Sequence, residues 1–108
     1  SDRDADLLSA VIGIIEKNLQ EPELNVSTLC KELNIGRTIL AEKIKGITGM
    51  TPREFIESIK MKHAAQLLKN GDMRISEVAY ELGFNDPKYF TLRFKKQFGL
   101  SPSEYAKQ

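Results

Sequence analysis

The stretch Ile75–Tyr105, ISEVAYELGFNDPKYFTLRFKKQFGLSPSEY, decides how the rest of this 108-residue chain is read. Ile75, Val78, Ala79 and Leu82 recur at helical spacing, Ser76 is placed to cap the helix start, and Gly83 follows the last apolar position as a stop. Asn85 and Asp86 supply the next N-cap, and Pro87 suits a first helical turn because its missing N–H has no partner there in any case. A second helix is therefore predicted from about Pro87 to Phe98. Phe90, Phe94 and Phe98 lie four apart on one face of it, while Lys88, Thr91, Leu92 and Lys95 fall on the other. One face is made for a core and the other is free to meet a partner.

The same pattern occurs earlier in the chain. Val26–Leu33 reads as a short helix with Ser27 as its cap, Asn34-Ile35-Gly36 as a turn, and Arg37 to Thr48 as the helix that follows. Val26, Ser27, Leu29, Cys30, Glu32, Leu33 and Ile35 answer Ile75, Ser76, Val78, Ala79, Glu81, Leu82 and Phe84 at an offset of 49. After one gap, Leu40, Lys43, Ile44, Lys45, Gly49, Thr51, Pro52, Glu54 and Phe55 answer Phe90, Arg93, Phe94, Lys95, Gly99, Ser101, Pro102, Glu104 and Tyr105 at 50. Two copies of one helix-turn-helix unit are present. Between them Pro52 to Lys69 reads as one helix, apolar at Phe55, Ile56, Ile59, Ala64, Leu67 and Leu68, with Asn70-Gly71-Asp72 as its stop. Before them, Ala5 to Leu19 is predicted helical with a broad apolar face, Asp2, Asp4 and Asp6 favouring its N-terminal dipole. Gly13 inside this helix costs about 1 kcal/mol against Ala and is expected to mark a close helix approach. The expectation is an all-α fold of about seven helices. Residues 5–51 form the first helix and first unit, 52–69 the linker helix, and 74–107 the second unit of one domain over 1–108.

Composition narrows the function classes. The formal net charge is only +1, but residues 1–33 hold three basic and seven acidic side chains, leaving +5 for residues 34–108, where the repeated unit lies. Cys30 is the only cysteine, so no intramolecular disulfide exists, and it is expected to be a small buried residue. No apolar run is long enough to cross a membrane, and the reading is a cytoplasmic protein without membrane association. A Gly-rich phosphate loop, a nucleophile–base pair and a metal-ligand cluster are all missing from the sequence, so no enzymatic activity, cofactor or metal is expected. His63 reads as an exposed linker-helix residue.

The opening stretch resembles the AraC/XylS family of transcription regulators, whose signature is matched at Ala79, Gly83-Phe84, Tyr89-Phe90, Phe94-Lys95 and Gly99-Leu100-Ser101-Pro102. The resemblance extends over the linker helix at Ile59-Lys60-Met61, Ala64 and Leu67-Leu68, with Lys60 standing where the family usually has Arg. It departs at Gly36, a helix-start position where Ser is common, and at Leu92, where Arg is frequent and here follows one position later as Arg93. The resemblance implies sequence-specific double-stranded DNA binding in transcription regulation. It resembles most the output domains of hybrid two-component regulators, with RNA polymerase a further partner, an isolated domain that is monomeric and a full-length protein that is dimeric.

Groove geometry then selects residues. A helix fits the major groove, where side chains on its exposed N-terminal face read bases and Lys, Arg and helix N-termini hold phosphates. The base-reading candidates are Arg37, Thr38, Ala41 and Glu42 in the first unit and Lys88, Thr91 and Leu92 in the second. Arg37 suits a guanine, Glu42 a cytosine N4 and Leu92 a thymine methyl. Phosphate candidates are Lys43, Lys45, Arg93, Lys95 and Lys96, together with backbone N–H groups at the starts of the short helices. The eighteen linker-helix residues span about 27 Å, against about 34 Å for a turn of B-DNA, a scale that suits insertion in successive major grooves. The alternative is a helical protein–protein module that docks a partner regulator or polymerase subunit, which lacks the steep salt dependence of DNA binding.

Overall fold

Short polar side chains set where most of the helices begin. In the computed structural model, which describes residues 1–108, seven helices and no strands are present, as the sequence predicts. They are α1 (Asp2–Lys17), α2 (Val26–Leu33), α3 (Arg37–Thr48), α4 (Pro52–Asn70), α5 (Ile75–Glu81), α6 (Pro87–Phe98) and α7 (Pro102–Ala106).

Ser1 accepts from the Asp4 N–H and starts α1 three residues before the predicted Ala5. The helix also ends early, at Lys17. Asn18 donates its side-chain amide to the Ile14 carbonyl at 2.7 Å, and Leu19 lies beyond the last turn. The α2 cap is Asn25 rather than Ser27: its Oδ1 accepts the Thr28 N–H at 3.2 Å, and the cap lies two residues earlier than the sequence suggested. Ser76 does not cap α5 either, since Glu77 reaches back to the Arg74 N–H at 2.8 Å. In both cases the residue two places upstream has the extended backbone that a cap requires. Thr51 with Glu54 and Ser101 with Glu104 form reciprocal capping boxes at the starts of α4 and α7, equivalent positions in the two repeats.

The chain divides into two units, the first made of residues 1–18 and 24–59 and the second of 19–23 and 60–108. In the first, α1 packs on α2 and α3, which also pack on each other. Val11, Ile14 and Ile15 of α1, Leu29 of α2, Leu40 and Ile44 of α3 and Phe55, Ile56 and Ile59 of α4 are its buried apolar residues, with Leu24. Gly13 marks no helix approach: a Cβ there meets no atom within 4 Å. Cys30 is half-buried rather than enclosed.

In the second unit, Met61, Ala64, Ala65 and Leu68 of α4 meet Val78, Ala79 and Leu82 and the fully buried Phe90 and Phe94. Phe84, Phe98 and Tyr105 flank this core, the Tyr105 ring standing edge-on to Phe94 at 5.4 Å. The four-residue aromatic spacing of α6 is therefore a core stripe, as expected. His63 is half-buried, not exposed. It lies on the stretch of α4 whose flanks are enclosed at Met61 and Ala64.

Candidate nucleic-acid interface

Each unit holds one helix by its back and leaves the front in solvent. In α3, Leu40 and Ile44 are buried while Arg37, Thr38, Glu42, Lys43 and Lys45 are exposed and Ala41 is half-covered. In α6, Phe90 and Phe94 are buried while Lys88, Leu92, Lys95 and Lys96 are exposed and Thr91 is half-covered. All of these residues bar Arg37 follow from a helical period of about 3.6, which puts positions 38, 42 and 45 or 88, 92 and 95 on the side away from the core. Arg37 is exposed because it is the first residue of its helix. Arg93, one position round from Leu92, is half-buried and engaged within the protein.

The turns that aim these helices are the same device in different residues. Gly83 sits at φ +80°, its N–H bonded to the Tyr80 carbonyl and that of Phe84 to the Ala79 carbonyl, both at 2.9 Å. Asn34 takes the equivalent left-handed position at φ 54°, and Ile35 N–H returns to the Cys30 carbonyl at 3.2 Å. These bonds close the first helix of each unit, satisfying the Tyr80 and Ala79 carbonyls in the second unit and the Cys30 carbonyl in the first. Asn is tolerated in this conformation because its short polar side chain bears the steric cost better than most.

The two helix starts differ. Asp86 Oδ1 accepts the Lys88 N–H at 2.9 Å and the Tyr89 N–H at 3.4 Å, so two of the α6 donors expected for phosphate are occupied by the chain's own carboxylate. Gly36 offers no side chain to α3, whose first N–H groups stay available. The sequence reading also missed that Lys43 is paired: its Nζ lies 3.8 Å from Asp4 of α1. Nothing in the local sequence links these two residues, since the pairing depends on how α1 packs on α3. The first unit carries seven basic and eight acidic residues and the second nine and seven, so the formal charge is −1 in the first and +2 in the second, with Lys60 of the second buried and Arg93 half-buried.

A family model described as a helix-turn-helix domain matches residues 29–108, which includes both exposed helices and the linker helix. The chain belongs to the AraC-type helix-turn-helix family. AraC-type relatives and structures bear on what the domain does. The chain is 42% identical over 94% of its length to histidine kinase P4 of Formosa agariphila, of which it spans 7%. It superposes with a TM-score of 0.84 and 28% identity on the C-terminal domain of AraT, a response regulator from Geobacillus stearothermophilus, covering 94% of this chain and 84% of that one. With the DNA-binding domain of AdpA, a global transcriptional factor solved in complex with a target DNA, the TM-score is 0.80 at 26% identity, over 99% and 92% of the two chains. The curated relatives are longer proteins, the chain spanning 7% of the P4 kinase and 35% of the HTH-type transcriptional activator RhaR of Salmonella schwarzengrund. This AraC-type domain binds double-stranded DNA sequence-specifically in transcription regulation. No helix of it is long and apolar enough to cross a membrane.

Proposed function

We propose that the chain is the DNA-reading output domain of a larger, signal-responsive cytoplasmic regulator, with the sensory and any catalytic functions held by other parts of that protein. On this reading α3 and α6 each enter a major groove, successive along the duplex. Arg37, Thr38, Ala41 and Glu42 read bases from α3, and Lys88, Thr91 and Leu92 read them from α6. Lys43, Lys45, Arg93, Lys95 and Lys96 hold phosphates. The observation that carries this assignment is the exposure of most of these side chains, Ala41, Thr91 and Arg93 being half-buried, on helices whose opposite faces are locked by Leu40, Ile44, Phe90 and Phe94. A two-component origin is supported by the similarity to a response-regulator C-terminal domain and to a protein named as a histidine kinase. The domain acts as a monomer with two recognition helices, dimerisation resides in the longer protein, and RNA polymerase is the partner at the promoter.

The test is binding at several salt concentrations to duplexes selected from a random pool and to scrambled controls. Arg37→Ala and Lys88→Ala are expected to weaken the selected duplex by roughly 1–3 kcal/mol while sparing the scrambled one. Lys95→Ala and Lys96→Ala lower affinity for both and reduce the salt slope by about one each. Unchanged affinity in all four variants overturns the docking assignment.

A further inference from the structure

We propose that Ile39 is a base-reading residue of the first unit, docking its aliphatic side chain on the 5-methyl group of a thymine in the major groove. This rests on the reading of α3 as a recognition helix. The large apolar side chains left in solvent are Ile39 (58% exposed), Met73, Tyr80 and Leu92 (68%), and two of them stand on α3 and α6, one in each unit. Ile39 lies outside the buried core of its unit, and the repeat shows a different use of the same position. Its counterpart in the second unit is Tyr89, which is half-buried with its ring 6.3 Å from Phe84. In the first unit the counterpart of Phe84 is Ile35, and Ile39 remains exposed. The same scaffold position thus serves packing in one copy and is released to solvent in the other.

Its location supplies the ligand chemistry. Ile39 is the third residue of α3, in the turn that leads into a groove, and lies one residue from Thr38 and one helical turn before Glu42 and Lys43. Polar and charged neighbours suit base edges and phosphates. A branched aliphatic among them matches the one apolar group that the major groove presents, the thymine methyl. Because a methyl is present on only one of the four bases, this contact selects thymine without any hydrogen bond.

The experiment takes duplexes selected by the chain from a random pool and replaces each thymine in turn by deoxyuridine, which removes only the methyl. Binding is measured for the parent chain, Ile39→Ala and Leu92→Ala. At one thymine in the half-site covered by α3, the parent is expected to lose about four-fold in affinity, the worth of one methyl taken out of water, and Ile39→Ala is expected to be insensitive to that replacement. Leu92→Ala keeps the sensitivity there. Ile39→Ala removes little buried surface, and an unchanged thermal midpoint confirms that it folds. Equal uracil penalties in the parent and Ile39→Ala at every position, or a selected half-site with no thymine, overturn the proposal while leaving the DNA-binding role intact. Failure of the pool to yield any preferred sequence instead overturns the recognition-helix reading on which it rests.

Discussion

At Gly83 a φ of +80° coincides with the closest packing met by any glycine of the chain: a Cβ there falls 2.9 Å from Lys60 Nζ and 3.1 Å from the Gln20 carbonyl oxygen. Gly49 has a similar φ of +76° but open space around it. The left-handed backbone alone costs an L-residue about 1–2 kcal/mol. Gly49→Ala is therefore expected to lower stability by about 1 kcal/mol, and Gly83→Ala by more than about 2 kcal/mol, because the second also displaces neighbours, among them backbone atoms of Gln20 and Glu21. Urea unfolding of the two variants checks the ordering. Glu104 is a different kind of residue-scale control. The Ser101 N–H donates to its carboxylate at 2.9 Å, and this bond, helped by the Ser101 hydroxyl and by Lys95 and Lys107, holds its pKa below the ordinary 4.5. A depressed pKa means that the charged carboxylate favours the folded form. Its contribution is complete above about pH 4.5 and is lost as the pH falls through the lower folded value. A carboxyl-carbon titration by NMR is expected to give a midpoint below 4.5, and Ser101→Ala to move it upward.

Among the elements, the pairing of α1 with α3 makes the clearest demand on experiment. Asp4 lies 3.8 Å from Lys43, a residue assigned to phosphate, and both side chains are substantially exposed. A carboxylate there both occupies the lysine and repels DNA. Asp4→Asn is expected to raise affinity for any duplex about two- to five-fold at low salt, in keeping with the small worth of exposed pairs, and to steepen the salt slope by about one counterion. The same substitution in Lys43→Ala should change the slope much less. How far the elements could be read from sequence follows from the physics of their ends. For α3 and α6 the predicted bounds agree with the structure, because Pro87, Gly49 and Gly99 punctuate them and a strict apolar period runs between. For α1 the apolar pattern runs on to Leu19, whereas the chain leaves the helix at Lys17 and Leu19 packs with the second unit's core. Periodicity reports which residues are buried, not which partner buries them. Ser27 and Ser76 misled as caps because Thr28 and Glu77 close the helix starts on Asn25 and Arg74. At the interface, exposure of the front faces was legible from the period. The Lys43–Asp4 pair and the release of Ile39 were not, since both depend on tertiary neighbours.

On the scale of the whole molecule, α4 contributes to both units, Pro52–Ile59 to the first and the residues from Lys60 onward to the second. The segment 19–23 likewise belongs to the second unit although the residues on either side of it belong to the first. It is held there by Lys60, which is only 5% exposed, donates from Nζ to the Glu21 carbonyl at 3.2 Å and lies over the Phe84 ring at 5.6 Å. Gln20 adds a bond from its side-chain amide to Glu81 at 2.5 Å. Where the family usually has Arg, a lysine thus serves as an internal fastener, reaching one carbonyl and one ring, a task a compact ammonium can perform without a planar fork. Lys60→Met keeps the apolar stem and removes the donor. It is expected to speed amide exchange in residues 19–23 by about ten-fold or more, given that a hydrogen bond from a charged group contributes about 1.5–3 kcal/mol. Amides of α3 should exchange at the parent rate, and hydrogen-exchange mass spectrometry resolves the two. For anyone recombining specificities between relatives, this interleaving redraws the cassette. The second reading head is not the contiguous block 60–108 but that block together with five residues from far upstream, so a functional graft must carry both pieces, and a crossover placed simply at the middle of α4 would pair each fastener with a foreign strap.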